Sequence, residues 1–171
     1  MKPTSRRNVL KGIGSASVLL AGGASVAGAR GPPSQGDTIV DVAVDADGFD
    51  VLVAAVQEAG LVDALSANRQ LTVFAPTDDA FGALGVTADN VADVDFDAAV
   101  GASLAEILTY HVVPGRRKAQ SIVNVSSVPT LNGESVAVEG TALNGDQANI
   151  VATDISASNG VVHVIDGVLL P

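Results

Sequence analysis

Apolar and polar positions in this chain change period several times, and the change is sharpest between residues 71 and 84. Leu71, Thr72, Val73 and Phe74 form an apolar, partly β-branched run suited to a buried strand. Pro76 cannot donate to a sheet ladder and biases Ala75 toward extended backbone, so the strand is expected to stop there. Thr77 then supplies an N-cap, and Asp78 and Asp79 fall at the positive end of the helix that follows. Phe81 and Leu84, three apart, share the face turned to the core.

Upstream, Thr38 to Val44 alternates loosely until Asp45-Ala46-Asp47-Gly48 breaks the pattern. Phe49, Leu52, Val53, Val56, Leu61, Val62 and Leu65 follow at helical spacing, with Asp47 as the expected cap and Gly60 as the stop between two short helices. Val86 to Phe96 reads as an irregular, exposed connection. Leu104, Ile107, Leu108 and Tyr110 predict a helix over residues 103–110 with Glu106 facing outward, running into a strand at His111-Val112-Val113 that a turn at Pro114-Gly115 closes. Beyond it, three Asn-Gly pairs, at 132–133, 144–145 and 159–160, predict type I′ turns. Val136 to Val138, Ile150 to Ala152 and Val161 to Leu170 supply strands around them. Helices first and hairpins later give an α+β class.

The segment before this pattern has a different character. Ser5-Arg6-Arg7-Asn8-Val9-Leu10-Lys11 is a twin-arginine pattern, residues 12–26 are small and apolar, and Ala27-Gly28-Ala29 fits an A-x-A cleavage site. Residues 1–29 are therefore expected to be a twin-arginine (Tat) export signal. The alternative, a retained anchor, is opposed by an apolar stretch shorter than the roughly 20 residues that span a bilayer. Residues 30–36, ending in Gly-Pro-Pro-Ser-Gln-Gly, read as a flexible lead-in, and 37–171 as a single domain.

Separating the signal changes the charge. Of nine Lys and Arg, only Arg69, Arg116, Arg117 and Lys118 lie beyond residue 30, while all nineteen Asp and Glu do, so that part carries 4 − 19 = −15. Such a surplus repels nucleic acid and anionic membranes and argues against both as partners. An Asp-rich, Lys-poor surface on an exported chain fits a salt-loving microbe, where screening limits repulsion to a few ångströms. The chain has no cysteine, which removes disulfides, thiol catalysis and cysteine-ligated metals.

Three segments, in order, resemble the fasciclin-domain family: Leu71 to Leu84 is similar to its first motif, Tyr110-His111-Val112-Val113-Pro114-Gly115 to its Tyr-His motif, and Asn159 to Pro171 to its second motif. The resemblance spans residues 37–171. It implies a compact α+β fold with helices packed against a two-sheet β-wedge or sandwich. It also implies a secreted or cell-surface, non-enzymatic adhesion domain that binds a cell-surface protein or glycan, as a monomer or with weak self-association. In animal matrix members of the family the Tyr-His region and an Asp-Ile pair before the second motif are linked to receptor binding, and the resemblance places Tyr110, His111, Asp154 and Ile155 at those positions. Arg116-Arg117-Lys118, which carries three of the four cations of the exported part, is either a solvated loop or a contact for an anionic partner.

Catalytic and metal chemistry find less support. His111 and His163 sit in apolar motifs without a third ligand at zinc spacing, and Asp45, Asp47 and Asp50 miss the spacing of a calcium loop. Ser103, His111 and Asp166 could be combined as a triad only on paper, since no nucleophile-elbow motif is present. Without Trp and with few aromatics, a ring-stacking sugar site is not expected. No cofactor is expected and no metal is assigned. The alternative function is a secreted small-molecule- or metal-binding protein that uses a cleft between helices and wedge.

Overall fold

The computed structural model describes residues 36–171, so the expected export signal and all but the last residue of the lead-in lie outside the described residues. The domain opens with three short helices, α1 (Ile39–Asp45), α2 (Asp50–Glu58) and α3 (Val62–Ser66). The loose alternation after Thr38 is thus helical. A capping box decides it: the Thr38 hydroxyl accepts from Asp41 N–H, and the Asp41 carboxylate accepts from Thr38 N–H at 2.8 Å. Gly60, at φ +66°, separates α2 from α3 as expected.

Strand β1 (Leu71–Pro76) is buried along its whole length, and α4 (Asp78–Gly82) follows it directly, with Thr77 as N-cap. Asp47 does not cap α2. The carboxylate of Asp78, from the start of α4, reaches across to accept from Val51 N–H at 2.9 Å and so covers the open N-terminus of α2. Within the 86–96 connection, Val86 and Val91 are buried, so it contributes to the core that its polar residues conceal in the sequence. Helices α5 (Phe96–Val100) and α6 (Leu104–Tyr110) come next, and a second capping box, Ser103 with Glu106, starts α6.

The remaining elements are β2 (Val112–Pro114), α7 (Ala119–Ile122), β3 (Ser127–Pro129), β4 (Ser135–Glu139), β5 (Ala142–Leu143), β6 (Ala148–Ala157) and β7 (Gly160–Ile165). The strands form one seven-stranded sheet in the order β2-β1-β7-β6-β5-β4-β3, with β1 and β7 parallel and the other pairs antiparallel. The α+β class holds, while the expected two-sheet division is replaced by this single sheet. Its β6–β7 ladder shifts register between Ile150 and Ala152 and again between Ala152 and Ile155, and such bulges bend and twist a strand. Near the far edge, Leu131 N–H donates to the Val112 carbonyl of β2, so the sheet curls until its ends meet.

Curling gives the sheet two buried faces. One packs Val73, Ala75, Val162 and Val164 against Leu52, Val56, Phe81, Ile107 and Leu108 of the helices; the other encloses Phe74, Tyr110, Val113, Ile122, Val136, Leu143, Ile165 and Leu169. This is why β1 and β7 read as unbroken apolar runs.

The Asn-Gly pairs behave differently from one another. Only Asn144-Gly145 places both residues at positive φ (55° and 68°), and it does so in a loop of four residues between Leu143 and Ala148. At 132–133 only the glycine is at positive φ. Gly160 is not in a turn conformation at all: a Cβ there would lie 2.0 Å from the Leu71 carbonyl oxygen, so glycine is required by the close approach of β7 to β1. Its neighbour Asn159 is buried and ties segments together, accepting from Ile39 N–H at 2.9 Å and donating to the Leu65 and Ala67 carbonyls. The two-residue hairpin with the expected glycine signal is instead Gly140-Thr141, where Gly140 has φ +65° between the paired Glu139 and Ala142. Strand β7 also ends at Ile165 and not at Leu170, because Asp166 turns aside to accept from Asn149 N–H at 2.6 Å.

Candidate functional site

The residues singled out in the sequence divide by depth. Tyr110 and His111 are buried, Ile155 is half-buried, and Asp154, Arg116 and Lys118 are exposed, with Arg117 intermediate. The Tyr110 hydroxyl meets the Ser135 carbonyl at 3.4 Å and the Asn144 side-chain oxygen at 3.2 Å, closing α6 onto the β4 and β5 hairpins. Burial, partly offset by the Asn144 bond, raises its pKa.

His111 follows α6 and has both ring nitrogens engaged by backbone. Nδ1 lies 2.7 Å from the Ile107 carbonyl, and Nε2 accepts from Leu169 N–H at 2.9 Å. These partners assign the proton to Nδ1. Burial pushes the pKa down to about 4, against the pull of the Ile107 carbonyl. As a side chain beneath the surface, His111 fastens the C-terminal segment to α6 and offers nothing to a rigid partner. Tyr110 and His111 thus lie beneath the surface as ties within the core.

His163 performs a similar task elsewhere in the core. It is fully buried beside Phe74, with ring centroids 6.1 Å apart; its Nδ1 accepts from Asp154 N–H at 3.2 Å and its Nε2 lies 2.9 Å from the Arg117 carbonyl. One imidazole thus joins the bulge of β6 to the segment that carries the basic residues. Asp154 completes the junction from the other side. Its carboxylate accepts from Ala119 N–H at 2.9 Å, capping α7, whose own N-cap residue Lys118 supplies no side-chain cap.

The structure therefore brings Asp154, Ile155, Arg116, Arg117 and Lys118 close together, with His163 buried beneath Asp154 and Arg117 and with Tyr110 and His111 buried elsewhere in the core. Thr153 and Ala152 extend it as exposed positions. Asp154 has φ +59°, a left-handed conformation that costs a non-glycine residue on the order of 1 kcal/mol and that Asp tolerates better than most. His163 and Thr72 were not assigned to this surface from sequence. Thr72 lies buried in β1, where its hydroxyl donates to the Gly115 carbonyl at 2.7 Å and accepts from Arg117 N–H at 2.8 Å. A threonine in an otherwise apolar strand was the available signal.

The paper triad is not assembled. The Ser103 hydroxyl donates to Glu106 at 2.8 Å, His111 is taken up by Ile107 and Leu169, and Asp166 accepts from Asn149. Among the described residues no group of three or more His, Cys, Asp or Glu converges as a metal ion requires, and no helix is long and apolar enough to cross a membrane. Between the helices and β1 there is a cavity of about 30 Å³ lined by Ile39, Leu52, Val56, Leu65, Val73 and His111. It has room for water, well below the several hundred Å³ of a small-molecule site.

The fold is of the α+β class, with both histidines tied to backbone and the exposed, left-handed Asp154 held in place on β6. The fasciclin-domain profile matches residues 47–171, and the chain belongs to that family. It is similar to Protein sll1483 of a Synechocystis strain, 44% identical over 138 residues that cover 78% of this chain and 73% of that protein. It is also similar to transforming growth factor-beta-induced protein ig-h3 of Sus scrofa, 35% identical over 136 residues, 78% of this chain but 19% of that one. A solved FAS1 domain pair from the insect cell adhesion molecule Fasciclin I matches with a TM-score of 0.61 at 19% identity, over 79% of this chain and 51% of that one, a likeness of fold.

Proposed function

We propose that this chain is an exported, non-enzymatic adhesion domain that binds a protein or glycan of the cell envelope through the surface around Asp154 and Ile155. The observation that carries this reading is the β6 bulge. Asp154 holds a left-handed backbone, is exposed, and is fixed by His163 beneath and α7 beside it. Strain that persists because its surroundings over-determine it clusters at ligand clamps and interaction sites. Arg116, Arg117 and Lys118 flank the bulge, and Tyr110 and His111 act by holding the core.

The twin-arginine segment supports export. The likeness of the fold to that of Fasciclin I, an insect cell adhesion molecule, supports adhesion as the class of activity. The cleft reading is disfavoured by the 30 Å³ cavity, because a ligand there would have to part the helices from β1.

The test is capture from solubilised envelope at high salt, using wild type and Asp154→Ala with equal melting temperatures. Wild type should capture a partner and the variant should lose at least tenfold. No capture by wild type at any salt concentration sinks the adhesion reading, and equal capture by both proteins sinks the site.

A further inference from the structure

All four cations of the acidic part of the chain converge at one end of the sheet. The pairing of Leu71 with both Pro114 and Gly160, and of Ala157 with Gly160, puts the start of β1, the end of β2, the end of β6 and the start of β7 side by side. Arg69 lies two residues before β1, and Arg116, Arg117 and Lys118 follow β2. The Arg116 guanidinium reaches Gln70, the neighbour of Arg69, at 3.4 Å and donates to the Ala157 carbonyl at 3.2 Å. Both acceptors are neutral, so these bonds fix the position of its charge without cancelling it.

The backbone that carries the other charges is equally fixed. Across residues 115–119 it is tied at almost every step: Gly115 N–H to the Gln70 carbonyl at 2.8 Å, the Gly115 carbonyl and Arg117 N–H to the Thr72 hydroxyl, the Arg117 carbonyl to His163, and Ala119 N–H to Asp154. None of these ties uses the side chain of Arg117 or Lys118. A segment without regular structure is thereby held rigid while presenting guanidinium and ammonium groups, which reduces the ordering cost of binding.

The geometry points to this sheet end as a binding site for an acidic polysaccharide, one bearing carboxylate or sulfate groups on its sugars. The inference rests on the reading of this surface as the partner-binding one and names the partner's chemistry. Arginine's planar fork matches carboxylate and sulfate oxygens in pairs, and Lys118 adds a point charge. The net charge of −15 on residues 31–171 (4 − 19) decides which polyanion fits. At about 0.15 M salt the screening length is roughly 8 Å, and duplex DNA carries a charge every ~1.7 Å, so it would set many phosphates within reach of the domain's own acids. A polysaccharide with one acid group per sugar spaces its charges by the length of a ring, and a thin chain can lie along residues 116–118 and Arg69 while remaining clear of the rest. Two acids border this patch: Asp37, whose carbonyl accepts from Ser158 N–H beside the Arg116 contact at Ala157, and Asp154, whose carboxylate weakens the site while its hydrogen bond shapes it.

The experiment is retention of the purified chain on immobilised chondroitin sulfate and on alginate, each with about one acid group per sugar, with neutral dextran and double-stranded DNA as controls, at about 0.15 M salt. Retention on one or both acidic polysaccharides is expected, and not on neutral dextran or DNA. The double variant Arg117→Gln/Lys118→Gln keeps every backbone tie and the melting temperature, and should lose at least tenfold in affinity. Asp154→Asn keeps a side-chain acceptor for α7, removes a negative charge, and should bind two- to fivefold more tightly. Absence of retention on both acidic polymers, retention on DNA as strong as on them, or an undiminished double variant overturns the inference. Envelope capture that persists in the double variant but fails in Asp154→Ala would overturn the polysaccharide and leave the adhesive bulge standing; retention on polymer without envelope capture would do the reverse.

Discussion

At the scale of single residues, the buried His111 decides how the molecule should respond to mild acid. His111 has its pKa lowered to about 4 by burial, against an ordinary value of 6.5. A basic group depressed in the folded state favours folding of its neutral form, so its stabilisation is complete above pH 6.5 and is lost as pH falls from there toward 4. At pH 5 the unfolded chain is 1.5 units below its own pKa, and at about 1.36 kcal/mol per unit the loss is roughly 2 kcal/mol relative to pH 7. Asp41 and Glu106 act in the opposite direction. Their pKa values are lowered by hydrogen bonds from Thr38 and Ser103 in the capping boxes, so their contribution is present above the ordinary carboxylate range and lost beneath it. The window from pH 6.5 to 5 therefore isolates His111 from these carboxylates. Urea unfolding at pH 7 and pH 5 should show the loss in wild type, and His111→Gln, less stable at pH 7, should show a smaller difference between the two; an equal difference would place the titration elsewhere.

At the scale of elements, several segments are organised by one carboxylate or amide reaching to a helix that is distant in sequence. Asp78 covers the N-terminus of α2, Asp154 that of α7 and Asn159 that of α1. Thr77→Ala removes an ordinary cap from a five-residue helix and should cost on the order of 1 kcal/mol in denaturant unfolding. Asp78→Ala also leaves a part-buried Val51 N–H unpartnered and should cost about 1 to 3 kcal/mol, whereas Asp78→Asn retains an acceptor and should recover most of the loss. A larger effect of Thr77→Ala than of Asp78→Ala would contradict this ranking. The same contacts mark the limit of what sequence reading reaches. The strand-turn-helix at 71–82, the helix ending at Tyr110 and the capping role of Thr77 were legible because they depend on neighbours in sequence. The capping of α2 by Asp78, the close approach that demands Gly160, and the burial of His111 were not, because each is set by a residue 27 to 58 positions away or by strand pairing. For the candidate site, sequence supplied Asp154, Ile155 and the basic run, and the curl of the sheet supplied their adjacency and the His163 and Thr72 ties that hold them.

At the scale of the whole molecule, the charge is uneven in a way that bears on stability. Helices α1 through α6 carry an acid in the first turn, and none has a basic residue in the last turn, so part of the negative surplus sits where helix dipoles welcome it. The carboxyl ends of those helices receive no compensating cation, because all four cations lie before β1 and after β2. Fifteen uncompensated charges, 4 − 19 over residues 31–171, then oppose the compact state in dilute buffer. Salt reduces the range of that repulsion from about 30 Å at 0.01 M to about 3 Å at 1 M. Each kcal/mol of repulsion relieved moves the melting temperature of a domain this size by roughly 3–5 °C. The melting temperature of the domain should therefore rise by several degrees between 0.01 and 1 M sodium chloride. Most of the rise should come before ~0.5 M, because screening is then nearly complete, whereas a stabilisation that keeps growing linearly into molar sulfate would reflect salt exclusion from apolar surface. Equal melting temperatures at 0.01 and 1 M chloride would mean that the acids are already balanced by their caps and helix dipoles, and that the acidic surface is not an adaptation to salt.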